Sequence, residues 1–216
     1  KEDLDLTENT QPAIFLASYS ITQMIKKESD INLGKAKYFA GHSLGEYSAL
    51  VASGSLDFKT ALKLLNDRGK AMQTAVPRGT GGMLAVLGSE IKDINKLLEE
   101  NKNNYKCYIA NDNSNGQIVL SGLDTDIEKI SKDFKLKNIK NIKLPVSAPF
   151  HSKLMEKATL EMRDKILNCK FGKPSNFIIS NITALETQDP QEIKELLIKQ
   201  IESPVRWRES VIHMIK

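Results

Sequence analysis

Ser43 lies between two glycines in Gly41-His42-Ser43-Leu44-Gly45, a spacing that could make it a nucleophile. The stretch around it, YFAGHSLGEYSAL from Tyr38 to Leu50, reads as an apolar strand, a tight turn and a small-residue helix. In such an elbow the serine takes a cramped backbone position, and flanking glycines avoid clashes that a Cβ would cause. Its Oγ points out at the top of a sheet. The amide of Leu44 and the positive end of the following helix are aimed at the space above Ser43, where an anionic intermediate would need stabilising. The alternative is a glycine-rich strand-to-helix turn with an idle serine, because GxSxG recurs by chance.

Two further residues could do chemistry. Phe58, Ala61, Leu62, Leu65, Gly69 and Met72 define one face of a helix running from Phe58 to about Ala75, and Arg68 falls on that face. Burying an unpaired cation costs several kcal/mol, so Arg68 must meet a carboxylate from a protein side chain or from a ligand. His151 follows a proline-stiffened loop, Pro145 to Phe150, and stands at the start of a helix bearing Leu154, Met155 and Ala158. A helix N-terminus disfavours imidazolium, so His151 is expected neutral near pH 7, as a general base requires. The plain alternative is a helix-capping histidine. His42 is expected to pack beside the nucleophile, and His213 to lie on a surface helix.

The elements that must position these residues follow in order. Gln11-Pro12 opens a helix through Ile25; Ala36 to Ala40 is a strand; the elbow helix carries Glu46 in its first turn, where a carboxylate suits the dipole, and stops at Gly54. Asp57 caps the Arg68 helix. From Gly79 to about Asn141 the pattern changes to β-α-β-β-α-β: Met83–Leu87, helix Ile91–Glu100, Tyr105–Ala110, Gln117–Ser121, helix Thr125–Phe134, and Ile139–Val146. Asn113 to Gly116 supplies turn chemistry. That order is ferredoxin-like and looks inserted into a larger α/β domain. Phe177–Ile182 is another strand, Pro190–Ile201 a helix, and Ser203-Pro204-Val205-Arg206-Trp207 begins the last helix.

With 216 residues and 40% hydrophobic content the chain can hold one large domain with a smaller insertion. No run approaches the roughly 18 apolar residues of a membrane span, and KEDLDLTENT is too polar for a signal peptide, so a cytoplasmic address is expected. Cys107 and Cys169 lack metal-like or CxxC spacing and are expected as free thiols. A net charge of +4, carried by lysines scattered on helix faces, gives little support to nucleic-acid binding but suits an acidic protein partner. No metal-ligand cluster is visible.

Taken together, GHSLGEYSAL, NDRGKAMQTAVPRGTGGM, LPVSAPFHSKLM and SPVRW resemble bacterial malonyl-CoA:acyl carrier protein transacylases over essentially the whole chain. The resemblance implies an α/β-hydrolase-like large domain, residues 1–78 and 143–216, with a ferredoxin-like small subdomain at 79–142. It implies Ser43 as the acyl-accepting nucleophile, His151 as the base oriented by a backbone carbonyl, and Arg68 as the grip on the malonyl carboxylate. Leu44, His42 and Phe150 complete the substrate-binding set, Phe150 as the malonyl-selecting form of its loop. The substrates implied are malonyl-CoA and the pantetheine thiol of acyl carrier protein, with no bound cofactor and no metal, in a monomer that binds neither nucleic acid nor membrane.

Two departures from that family pattern set further expectations. The family's opening strand and GQGSQ-like turn, which supplies a second oxyanion donor, is not seen, and losing such a donor typically costs about 10²- to 10³-fold in rate. The segment that supplies the histidine's carbonyl partner is also expected to be missing. The chain alone is therefore expected to be poorly stable and weakly active. Two rivals stay open: a serine esterase, though no HGG-type oxyanion loop is present, and a truncated relative that docks acyl carrier protein without turnover.

Overall fold

A computed structural model describes residues 4, 6–77, 79–146 and 148–216 as a mixed α/β arrangement built on two sheets. In chain order the elements are α1 (Thr7–Glu28), β1 (Tyr38–Phe39), α2 (Gly45–Ala52), α3 (Phe58–Thr74), β2 (Gly81–Leu87), α4 (Ile91–Glu100), β3 (Cys107–Ser114) and β4 (Gln117–Leu123). They continue as α5 (Asp124–Leu136), β5 (Lys140–Lys143), α6 (Glu156–Leu167), β6 (Phe177–Ile179), β7 (Glu186–Thr187), α7 (Pro190–Gln200) and α8 (Trp207–Ile215).

The first sheet has the order β1-β6-β7, with β1 parallel to β6 and β7 antiparallel to it. Its strands are shorter than the sequence suggested, and β7 was not anticipated because two residues carry no readable alternation. A core of side chains from α1, α2, α3, α6 and α7 packs around Ile178 of β6. Asp57 caps α3 by accepting from the Thr60 amide, as expected.

α1 corrects an expectation. It begins at Thr7, not at Gln11-Pro12, so Pro12 stands in the second turn, where it has no N–H for the Glu8 carbonyl. Asn66 on α3 donates to that carbonyl at 3.1 Å instead. One turn further along α3, a Cβ on Gly69 would lie 2.5 Å from Glu8 Cα, so glycine is what lets the two helices touch there. Phe15, fully buried, then stacks on Phe58 with ring centroids 5.3 Å apart.

The second sheet is antiparallel throughout, in the order β3-β4-β2-β5. Period-two alternation separates its faces. Leu84, Val86, Ile118 and Leu120 pack beneath α4 and α5, against Ile94, Ile127, Ile130 and Phe134. Met83, Ala110 and Val119 point the other way and are joined by Leu144, Val146 and Phe150. β3 runs to Ser114, so the turn to β4 is tighter than Asn113 to Gly116, with Gly116 at φ 77°.

This sheet is tied to the rest of the chain through β3. Asn111 forms a β-bridge with Val205, and Arg208 of α8 donates to both carboxylate oxygens of buried Asp112 at 2.8–3.0 Å. The two cysteines are free. Among the described residues no helix is long and apolar enough to cross a membrane, and no cluster of His, Cys, Asp and Glu could hold a metal ion.

Candidate active site

The elbow forms between β1 and α2. A Cβ on Gly41 would lie 1.9 Å from the Gly45 carbonyl oxygen, so the first glycine is sterically required. The second is not, because a Cβ on Gly45 meets nothing within 4 Å, a correction to the expectation for both glycines. Ser43 has φ 53°, a left-handed conformation that costs a non-glycine residue about 1–3 kcal/mol and persists only where neighbours enforce it. Leu44 is the N-cap residue of α2, and its N–H makes no hydrogen bond among the described residues, which leaves it available above the turn.

His151 also has a positive φ, 56°. Its Nε2 lies 2.7 Å from Ser43 Oγ, and its Nδ1 lies 2.9 Å from the backbone carbonyl oxygen of Gln200. A carbonyl can only accept, so Nδ1 carries the proton and Nε2 presents a lone pair to the serine hydroxyl. The carbonyl partner expected to be missing is therefore supplied by the end of α7. Burial first, and the Arg68 charge second, lower the His151 pKa to about 3. Neutrality is as expected, but its cause is not a helix N-terminus: a short 3₁₀ turn, Lys153–Met155, intervenes before α6.

Arg68 is 1% exposed and meets no carboxylate in a salt bridge among the described residues. Its Nη1 donates to Gln11 Oε1 at 2.7 Å, and its Nη2 donates to Gln200 Oε1 at 2.9 Å and to Ser43 Oγ at 3.1 Å. Nε has no hydrogen-bond partner among the described residues. The internal ion pair that helix spacing left open is thus not formed; two neutral amides hold the cation instead. A guanidinium kept charged on this scaffold, with its pKa lowered by burial, is poised for an incoming anion.

Sequence reasoning missed four residues that build the floor of this site. Gln200 is fully buried; its Nε2 donates to the Ser43 carbonyl at 3.1 Å and to Glu46 Oε2 at 2.8 Å. Asn181 accepts from the Ser43 amide at 2.7 Å and donates to the Gly41 carbonyl at 2.9 Å. Glu46, read as a first-turn carboxylate at a helix dipole, is 2% exposed and accepts from the Asn181 amide N–H at 3.1 Å. Burial pushes its pKa up to about 7, opposed by the Gln200 and Asn181 hydrogen bonds and by the Arg68 charge. Gln11 is the fourth. A signal existed for Gln200, which continues the buried stripe Ile193, Leu196, Leu197 on α7, and for Gln11, one turn before Phe15. Nothing marked Asn181.

Ser43, Arg68 and His151 meet at the base of a cavity of about 560 Å³ that Leu44, His42 and Phe150 also line. His42 meets β3 and α8: its Nε2 lies 2.8 Å from Asn113 Oδ1, and its ring stands edge-on to Trp207 at 5.6 Å. Burial lowers its pKa. Met83 of β2 and Val146, from the segment after β5, also line the cavity. His213 is remote, paired with Glu186 at 2.6 Å.

A family profile described as "Acyl transferase domain" matches residues 1–216. The malonyl CoA-acyl carrier protein transacylase of Bacillus subtilis strain 168 is 39% identical over 216 residues, which span 99% of this chain and 67% of that protein. Among solved structures, the malonyl CoA-acyl carrier protein transacylase of Coxiella burnetii superposes with a TM-score of 0.94 at 34% identity, over 100% of this chain and 67% of that one. A type II PKS acyl-carrier protein in complex with its malonyl-transacylase matches with a TM-score of 0.92 at 36% identity, over 99% of this chain and 69% of that one.

Proposed function

The chain belongs to the acyl transferase domain family, and we propose that it transfers the malonyl group of malonyl-CoA to the pantetheine thiol of acyl carrier protein through a malonyl ester on Ser43. The observation that carries this reading is Arg68: a buried cation that makes no salt bridge with a carboxylate among the described residues and is hydrogen-bonded to the hydroxyl that would be acylated. An acyl group bearing its own carboxylate would neutralise that cation and be aligned for attack in one contact. An acetyl group would leave it unpaired.

In the first half-reaction His151 Nε2 takes the Ser43 Oγ proton as Oγ attacks the thioester carbonyl, and the same proton goes to the departing coenzyme A sulfur. In the second half His151 takes the proton of the carrier thiol as that sulfur attacks the serine ester, and returns it to Ser43. Gln200 O stabilises the imidazolium in both halves, and the Leu44 N–H is the oxyanion donor at the elbow. The substrate carboxylate would also cancel the Arg68 charge that depresses His151, raising its basicity when the acyl group is bound.

The finer architecture belongs to the same reading. The strand order β3-β4-β2-β5, with α4 and α5 on one face, supports a ferredoxin-like subdomain at 79–142 inserted in an α/β-hydrolase-like core at 1–78 and 143–216. A cytoplasmic monomer needing no cofactor completes it.

Stoichiometric radiolabel on Ser43 from malonyl-CoA, absent in Ser43→Ala and passed on to holo acyl carrier protein, is the expected result. Hydrolysis of neutral esters that survives Arg68→Met would favour an esterase. Carrier binding without label would favour a docking module.

A further inference from the structure

Ser43 is held in its left-handed conformation from both sides of its backbone. Its N–H is taken by the Asn181 side chain, and its carbonyl accepts from the Gln200 side chain and, at 3.1 Å, from the Glu46 backbone N–H. Those two residues lie apart in sequence, yet both reach one atom: Glu46 Oε2 accepts from the Gln200 side-chain Nε2 at 2.8 Å and from the Asn181 backbone N–H at 3.1 Å. The other end of the Gln200 amide accepts from Arg68, and its backbone carbonyl accepts from His151. Each member of the reacting trio thus connects to Glu46 through no more than one intervening residue, while Glu46 itself bonds to none of the three side chains.

We propose that Glu46 is a positioning residue for acyl transfer: by anchoring Gln200 and Asn181 on one oxygen, it holds the Ser43 elbow in the conformation that keeps Oγ on His151 and Arg68. The proposal rests on the malonyl-transfer reading for its substrate but not for its geometry. The physical reason is strain. A serine at φ 53° relaxes toward the ordinary helical or extended regions unless its peptide groups are fixed, and a small Oγ displacement costs rate far more than substrate affinity. Glu46 is the second residue of α2, so it joins the elbow to the two segments, after β6 and at the end of α7, that fold against it.

The groups facing this carboxyl set what a substitution must preserve. They are Gln200 of α7, the Asn181 amide, and the charge of Arg68 on α3, with Tyr47 adjacent in the chain. Glu46→Gln keeps an acceptor oxygen in place. Glu46→Asp keeps the carboxylate but withdraws it by one methylene, and Glu46→Met keeps bulk without an acceptor.

The experiment measures the rate of Ser43 acylation by malonyl-CoA, separated into kcat and KM, for the wild type and these three variants. In parallel it measures the rate of Ser43 modification by an aryl sulfonyl fluoride, which reads hydroxyl reactivity without any malonyl contact. Expected are falls in kcat of about 10²-fold for Glu46→Met and about tenfold for Glu46→Asp with KM within about threefold, matching slower sulfonylation, and recovery in Glu46→Gln to within about threefold of wild type. Wild-type rates in folded Glu46→Met, or in Glu46→Asp should the former fail to fold, overturn the proposal. So does a loss confined to KM. A wild type that is sulfonylated but takes no malonyl label defeats the malonyl reading alone, and the sulfonylation rates of the variants still decide the role of Glu46.

Discussion

The helix-covered face of the antiparallel sheet and the floor of the candidate site are both fully buried, but they are held by opposite means. Beneath α4 and α5 the contacts are apolar, drawn from alternate residues of neighbouring strands between Gly81 and Lys143. Beneath Ser43 they are polar and nearly all long-range: Gln200 reaches Ser43 across 157 positions, Asn181 reaches Glu46 across 135, and Ser43 reaches His151 across 108. Apolar packing is non-directional and tolerates small adjustments at a modest cost in stability. A buried polar network demands that every donor find its acceptor, and it returns a single defined geometry. The lesson is a division of labour, with stability drawn from the first region and positioning from the second.

Five substitutions break or sharpen that contrast. The largest effect is expected from removing the reacting pair: Ser43→Ala or His151→Ala lowers malonyl transfer by roughly 10⁴-fold or more, read by single-turnover transfer to holo acyl carrier protein, with little change in thermal midpoint. Next, Arg68→Met lowers kcat/KM for malonyl-CoA by about 10²- to 10⁴-fold while leaving acetyl-CoA unchanged or improved. A parallel loss on both substrates would mean that Arg68 only supports the floor. In the apolar region, Leu120→Ala costs about 2–5 kcal/mol of stability by urea unfolding, with kcat of the folded protein unchanged. A fallen kcat at full folding would show that the two regions are not separable.

The smallest expected effect is a pH slope. His151, lowered to about 3, contributes stability that is present above its unfolded value and is lost as pH falls toward 3. Glu46, raised to about 7, contributes stability that is present below its unfolded value and is lost as pH rises through 7. Between the unfolded values of Glu and His, folded and unfolded chains therefore bind the same number of protons at this pair, and its contribution is flat. Glu46→Gln removes one of the two, so its stability relative to wild type should fall on acidification across that window by up to about 1.4 kcal/mol per pH unit. Unfolding midpoints at matched ionic strength from pH 7 to 4.5 check this, and parallel curves would refute it.

How much of this was legible follows from the same physics. Ser43, Arg68 and His151 were each detectable locally, as a glycine-flanked serine, a cation on an apolar helix face, and a histidine at the end of a proline-stiffened loop. The antiparallel sheet was legible because period-two alternation is a local signal, and its boundaries moved by only a few residues. The α1 start differs from the sequence expectation because Pro12 sits in the second turn, where the Glu8 carbonyl it leaves without a partner accepts from Asn66 of another helix. The histidine's carbonyl partner was not legible because a backbone acceptor has no sequence signature, and any residue in place of Gln200 would carry one.

By itself the sequence determined the strand-turn-helix around Ser43, the apolar face of α3 that carries Arg68, and the alternation of the antiparallel sheet, because each depends on residues within a few positions of one another. Only the tertiary structure decided that Arg68 rests on glutamine amides with no salt bridge to a carboxylate among the described residues, that His151 is neutral through burial, and that Glu46 gathers the residues gripping the elbow. Those outcomes depend on which donor meets which acceptor across the folded chain, and on how much water is excluded there. Neither is encoded in the spacing of residues along it.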